Sequence, residues 1–164
     1  MATGGWKAVE RAGLTAIRAS IGLYRDGGPV LPAIGFAWLA LVLTRLRIRD
    51  DAWARMDPGY REAHRRLWTD LVRRAQPGYA AAPASLLALT AWQCGDGALA
   101  NLAIDRALAD TPGYSMALLL RSALDAGAPP SAAVPPLTSG EVTASYTDPS
   151  DGPAGPDAPA AGAT

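Results

Sequence analysis

Residues 84–117 read ASLLALTAWQCGDGALANLAIDRALADTPGYSMA, and that order spells two antiparallel helices with a tight turn between them. Gly95 supplies the turn, because a glycine reaches the left-handed backbone conformation at no steric cost. Ala100 and Ala107 are small enough to let the second helix lie close against the first. Asp96, between two glycines and just ahead of the helix that Gly97 opens, is placed as an N-cap worth about 1 kcal/mol. Pro112 stops the second helix, Gly113 turns the chain, and Tyr114 leads into a third helix with an apolar body and a polar tip. The spacing predicts helices over Ala82 to Cys94, Gly97 to Asp110 and Tyr114 to Ala126.

Upstream, the pattern stays helical. Val9, Ala12, Leu14, Ala16, Ile17, Ser20, Ile21 and Tyr24 recur mostly at steps of three and four, predicting a helix from Trp6 to Tyr24 that Asp26-Gly27-Gly28-Pro29 ends. A second helix is expected from Pro32 or Ala33 to about Arg47, with the proline in the first turn, where its missing donor costs nothing. Asp50 to Met56 reads as a short helical turn. From Tyr60 to Ala75, one stripe holds Tyr60, His64, Leu67, Trp68, Leu71, Val72 and Ala75, and five arginines with Glu62, Thr69 and Asp70 cover the rest. The expected fold class is all-α, built of packed helical hairpins.

Pro-Gly-Tyr occurs three times, at Pro58, Pro77 and Pro112. The last two lie about 35 residues apart, close to the ~34-residue period of tetratricopeptide repeats. Trp92, Gly95, Asp96, Gly97, Ala100, Ala107, Pro112, Gly113 and Tyr114 together form one tetratricopeptide-like hairpin. One period earlier, Arg65 and Val72 stand at the small-residue positions. The pattern is therefore one hairpin in a helical domain and not a solenoid, which needs about three units.

Apolar patterning holds to about Gly127. Residues 128–164 are mostly Ala, Pro, Gly, Ser, Thr and Asp, a composition that buries too little surface to offset its ordering entropy. A helical domain over 6–127 and a disordered acidic tail over 128–164 are expected. Lys and Arg total 15 and equal Asp and Glu, and all of the cations precede the tail. The helical part thus carries an excess of about four positive charges, too few for a module that tracks phosphates. Val30 to Leu43 is almost wholly apolar but shorter than the ~20 residues a membrane span needs, so a buried helix is expected. The N-terminus has no basic segment followed by an apolar run, and a cytoplasmic location is expected.

A set of motifs resembles a known family. Arg49-Asp50-Asp51-Ala52-Trp53 within Leu41 to Met56, and Pro77-Gly78-Tyr79, Ala91-Trp92, Gly95-Asp96-Gly97-Ala98, Ala107-Leu108, Pro112-Gly113-Tyr114 and Leu124-Asp125-Ala126-Gly127 within Trp68 to Pro130, are similar to the C-terminal half of the family called domain of unknown function 4192. The resemblance implies a helical fold and no catalytic residues. Family members are similar to this chain only after an N-terminal portion absent here, so it also implies a fragment or remnant of a longer protein whose activity lies in that portion.

Candidate chemistry is sparse. His64 is the only histidine and rides the buried stripe, which predicts a packed ring rather than a general base. Cys94, the single cysteine, falls at a helix C-terminus, where the dipole disfavours a thiolate, and is expected as a small buried residue. One histidine and one cysteine do not make a zinc site, and no glycine-rich phosphate loop is present. The expectation is no catalytic residue, no cofactor, no metal, no membrane, and a protein partner, including the missing N-terminal portion. The weaker alternative is nucleic-acid binding through Arg61 to Arg74.

Overall fold

One helix, Ala81–Gln93, is buried along its whole length from Ala81 to Trp92, and the other helices are arranged to cover it. Its sequence explains this: small and aliphatic residues occupy every face, and Ser85 and Thr90 return their hydroxyls to the carbonyls of Ala81 and Leu86. The computed structural model describes residues 3–133 and 138–145. Among them the chain forms α1 (Thr3–Arg25), α2 (Ala33–Val42), α3 (Leu46–Ala54), α4 (Arg61–Arg74), α5 (Ala81–Gln93), α6 (Gly97–Asp110), α7 (Ser115–Asp125) and α8 (Ser139–Ser145), with 3-10 turns at Pro58–Tyr60 and Pro130–Ala132. The described residues are all-α.

Around α5 pack α4, α6 and α7, while α1 closes the other side of α4 and also meets α2 and α3. Leu67, Trp68 and Leu71 of α4, Ile17 of α1 and Ile48 of α3 are all fully buried in one core. At Gly13, α1 comes so near its neighbours that an added Cβ would stand 2.5 Å from Ile48 Cδ1 and 3.0 Å from Val42 Cβ. Tyr24 fastens α1 to α4: its hydroxyl donates to Asp70 at 2.7 Å, and burial with that bond pushes its pKa up to about 12.

The α5–α6 hairpin closes as its residues dictate. Gly95 adopts φ +77°, and Asp96 N–H donates back to the Ala91 carbonyl at 2.9 Å, the wrap that ends a helix at a left-handed glycine. Asp96 then caps α6 by accepting from Leu99 N–H at 2.9 Å. Ala100 and Ala107 are fully buried, as is Ile104 between them.

Several expectations need correction. The helix expected to run to Arg47 is two helices: Thr44 bonds its hydroxyl to the Leu41 carbonyl, Arg45 is extended, and α3 starts afresh at Leu46. That break lets α3 turn Ile48, Ala52 and Trp53 into the core. Tyr60, placed on the buried stripe, is exposed in the 3-10 turn with the Arg25 guanidinium 5.1 Å from its ring. Cys94 is exposed, because it stands at the helix end where the chain leaves the core.

The expected boundary at Gly127 also moves. Gln93 Nε2 donates to the Ala133 carbonyl at 2.9 Å and ties 128–133 to α5. α8 packs on α3, burying Val142 to 3% exposure. Thr138 and Glu141 make a reciprocal capping box: Thr138 N–H donates to Glu141 at 2.7 Å, and Glu141 N–H donates to Thr138 Oγ1 at 3.3 Å. The rest of the expected disordered tail, at 134–137 and 146–164, lies outside the described residues.

Candidate functional site

α2 is apolar on every face, yet only one face is covered. Phe36, Leu39, Ala40 and Val42 are buried, whereas Ile34 is 77% and Leu41 47% exposed, with Ala33 and Ala37 also open. The expected buried helix is therefore half-buried. The cause is tertiary: α1 and α4 reach α2 from one side only. Beside it runs an apolar groove of about 540 Å³, with Ala33, Phe36, Ala37, Ala40 and Leu41 on one bank and Arg74, Gln76 and Tyr79 on the other. The Arg74 guanidinium lies 4.5 Å from the Phe36 ring and fixes the groove's polar edge. Tyr79, of Pro77-Gly78-Tyr79, is exposed there.

A second cavity, of about 510 Å³, lies between α1, the end of α3 and the start of α4 and is lined by Arg18, Arg25, Arg55, Asp57, Tyr60 and His64 among others. Its charges are largely spent on one another. Asp51, 1% exposed, receives Arg18 through Nε at 3.1 Å and Nη2 at 2.7 Å, and Arg55 through Nε at 2.7 Å and Nη2 at 3.3 Å. Burial opposes ionisation of Asp51, yet the hydrogen bonds from Arg18 and Arg55 hold its carboxyl below the usual range. Arg25 bonds Asp26. His64 is 2% exposed, and its Nδ1 has no hydrogen-bond partner. Burial pushes its pKa down, against the Arg55 carbonyl and the Asp57 charge. The cavity is thus nearly neutral, and the imidazole that borders it is buried.

The hairpin motif residues divide between two places and converge on no reacting centre. Asp96 and Gly97 start α6, while Pro112 and Gly113 are exposed in the turn before α7. Tyr114 is half-buried under Arg49, whose Nη1 donates to its hydroxyl at 3.4 Å. Burial pushes the Tyr114 pKa up, against the hydrogen bond and charge of Arg49. Trp92 lines a small groove of about 280 Å³ with Trp53, Met116 and Leu119. Arg49-Asp50-Asp51-Ala52-Trp53 is accordingly a latch, sending Arg49 to α7 and Asp51 to α1.

The residue that sequence reasoning missed is Asp110. From the end of α6 its carboxylate accepts from Gly78 N–H at 2.8 Å, Ala80 N–H at 3.0 Å and Ala81 N–H at 3.1 Å, capping α5 from another helix. A buried helix start needs such a partner, and Pro83 removes one further donor there. No local signal announces a cap that arrives from 30 residues away.

Three of the five α4 arginines have separate partners: Arg65 bonds Glu62, Arg74 bonds Asp70, and Arg66 lies over the Tyr24 ring. A further groove of about 570 Å³ between α4 and α6 is edged by Arg73, Asp105 and Arg106. Among the described residues, no group of three or more His, Cys, Asp or Glu could hold a metal ion, and no helix is long and apolar enough to cross a membrane.

Fold and surface together define an all-helical module with one open apolar helix. A family model described as Domain of unknown function (DUF4192) matches residues 2–131, and the chain belongs to that family. The match reaches α1, well ahead of the Leu41 to Met56 stretch where the family-like motifs start. No curated protein and no solved structure matches the chain.

Proposed function

We propose that this chain is a non-catalytic helical module that binds protein through the outer face of α2. One observation carries the reading: a helix apolar all round belongs in a core, and this one leaves Ile34, Ala37 and Leu41 in solvent. α4, which packs on α2 and also on the buried α5, ties this face to the hairpin that Asp96 and Asp110 hold together. The buried setting of His64 supports a role without catalysis, and the pairing of Arg65 with Glu62 and of Arg74 with Asp70 weighs against nucleic-acid binding by α4.

Photo-crosslinking in the source cells tests this. A photoreactive amino acid replaces Ile34, Leu41 or, as a reference, Leu118 of α7, which is as exposed as Leu41. Discrete protein adducts at 34 and 41 and none at 118 are expected. No adduct at the α2 positions, or the same spread from all three, refutes the reading. In a second reading the same face is covered by a further domain of a longer polypeptide that carries the activity. That reading expects the isolated chain to melt without cooperativity.

A further inference from the structure

We infer that the cavity of about 510 Å³ between α1, the end of α3 and the start of α4 binds a small organic molecule through one carboxylate or phosphate group, anchored by Arg18, Arg25 and Arg55. It shares no lining residue with the groove beside α2, so the inference does not depend on what that face binds. Asp51 builds two of the anchors. It is 1% exposed, does not line the cavity, and accepts Nε and Nη2 of both Arg18 and Arg55. One edge of each guanidinium is thus spent, while Nη1 of each has no partner among the described residues. A guanidinium fixed on one edge by a buried carboxylate is pre-organised to fork an oxyanion with the other. Arg25 stands seven residues after Arg18, two turns along the same face of α1. Its Nε donates to Asp26 and its guanidinium carbon lies 5.1 Å from the ring of Tyr60, itself a lining residue, which leaves both Nη groups for a ligand.

Gly22 points the same way. It lines the cavity on the α1 face between Arg18 and Arg25, and a Cβ added there would meet nothing within 4 Å. Packing therefore does not demand a glycine here, although glycine weakens a helix relative to alanine. What its missing side chain leaves is open floor between the two arginines. Ile21, Ala54, Met56 and Ala63 add apolar wall, which suits a hydrocarbon or aromatic body. His64 in the same wall carries a buried Nδ1 without a partner. With Asp57 in the wall and Asp26 beside Arg25, the cavity stays nearly neutral, a balance that fits one oxyanion group and not a polyanion.

Titration of the full chain with phenyl phosphate, benzoate, inorganic phosphate and uncharged benzyl alcohol, followed by proton–nitrogen NMR, tests the inference. Phenyl phosphate or benzoate should shift the Arg18, Arg25 and Arg55 side-chain signals together with the Gly22 amide, with a Kd on the order of 1 mM for ligands this small. The tighter of the two identifies the oxyanion, and inorganic phosphate and benzyl alcohol should each bind about tenfold more weakly than it. Arg25→Gln, at a half-exposed site outside the Asp51 pair, should weaken binding about tenfold with a melting temperature within about 3 °C of wild type. Gly22→Leu should weaken binding while melting no lower than wild type, a combination that a purely structural role would not give. Ile34→Lys should bind like wild type. No shift at these residues, equal shifts from benzyl alcohol, shifts spread alike over Arg73 and Arg106, or unchanged affinity in both Arg25→Gln and Gly22→Leu overturns the site. Inorganic phosphate as tight as phenyl phosphate overturns the organic body.

Discussion

Replacing Asp110 by alanine removes a single exposed-helix carboxylate by sequence and the cap of the most buried helix by structure. Three backbone N–H groups lose their acceptor, those of Gly78, Ala80 and Ala81. Gly78 is exposed and water can replace the carboxylate there, but Ala80 and Ala81 are buried. Leaving two desolvated donors unpaired costs about 1–3 kcal/mol each, and such costs are not fully additive, so about 3 kcal/mol is expected. For a domain of this size that lowers the melting temperature by roughly 8–12 °C. Asp96→Ala is the internal reference, since Asp96 is exposed and its carboxylate accepts from one N–H, an arrangement worth about 1 kcal/mol. Urea denaturation followed by far-UV circular dichroism measures both. If Asp110→Ala costs no more than Asp96→Ala, the cap from α6 does not hold α5 and the reasoning fails.

Asp51→Asn should destabilise by about 2 kcal/mol, less than a fully buried pair would lose because Arg18 and Arg55 keep partial access to water; chemical denaturation reads it. His64 is held neutral by burial, so its folded pKa lies below its unfolded value of about 6.5. The stability this gives is present above that value and is lost as pH falls below it. The melting temperature should therefore drop as pH falls below about 6.5, and His64→Leu should flatten that slope. Val142→Asp should detach α8 from α3 at a cost of roughly 1–2 kcal/mol, with faster amide exchange confined to α8 and the facing side of α3.

Much of the fold was legible because it is written locally. The 3.6-residue stripe of α4, the glycine at +77° after α5 and the small residues of α6 are each decided within a few positions. The break after α2 was not legible, because Leu43-Thr44-Arg45 holds no proline or glycine and the kink is made by a hydroxyl bonding back and by the pull of Ile48 and Trp53 into the core. Around Val142 the signal was present in Thr138-x-x-Glu141, but the surrounding composition outweighed it. The candidate site was legible only as an apolar run. A helix apolar on every face carries no mark of which face its neighbours will leave open, and that choice is made by where α1 and α4 come to rest.

The most direct measurement places a photoreactive amino acid at Ile34 and Leu41 of α2, with Leu118 of α7, as exposed as Leu41, for reference. The account predicts discrete protein adducts from the two α2 positions and none from 118. No adduct from α2, or the same spread from all three, would contradict the claim that the open face of α2 is an interface.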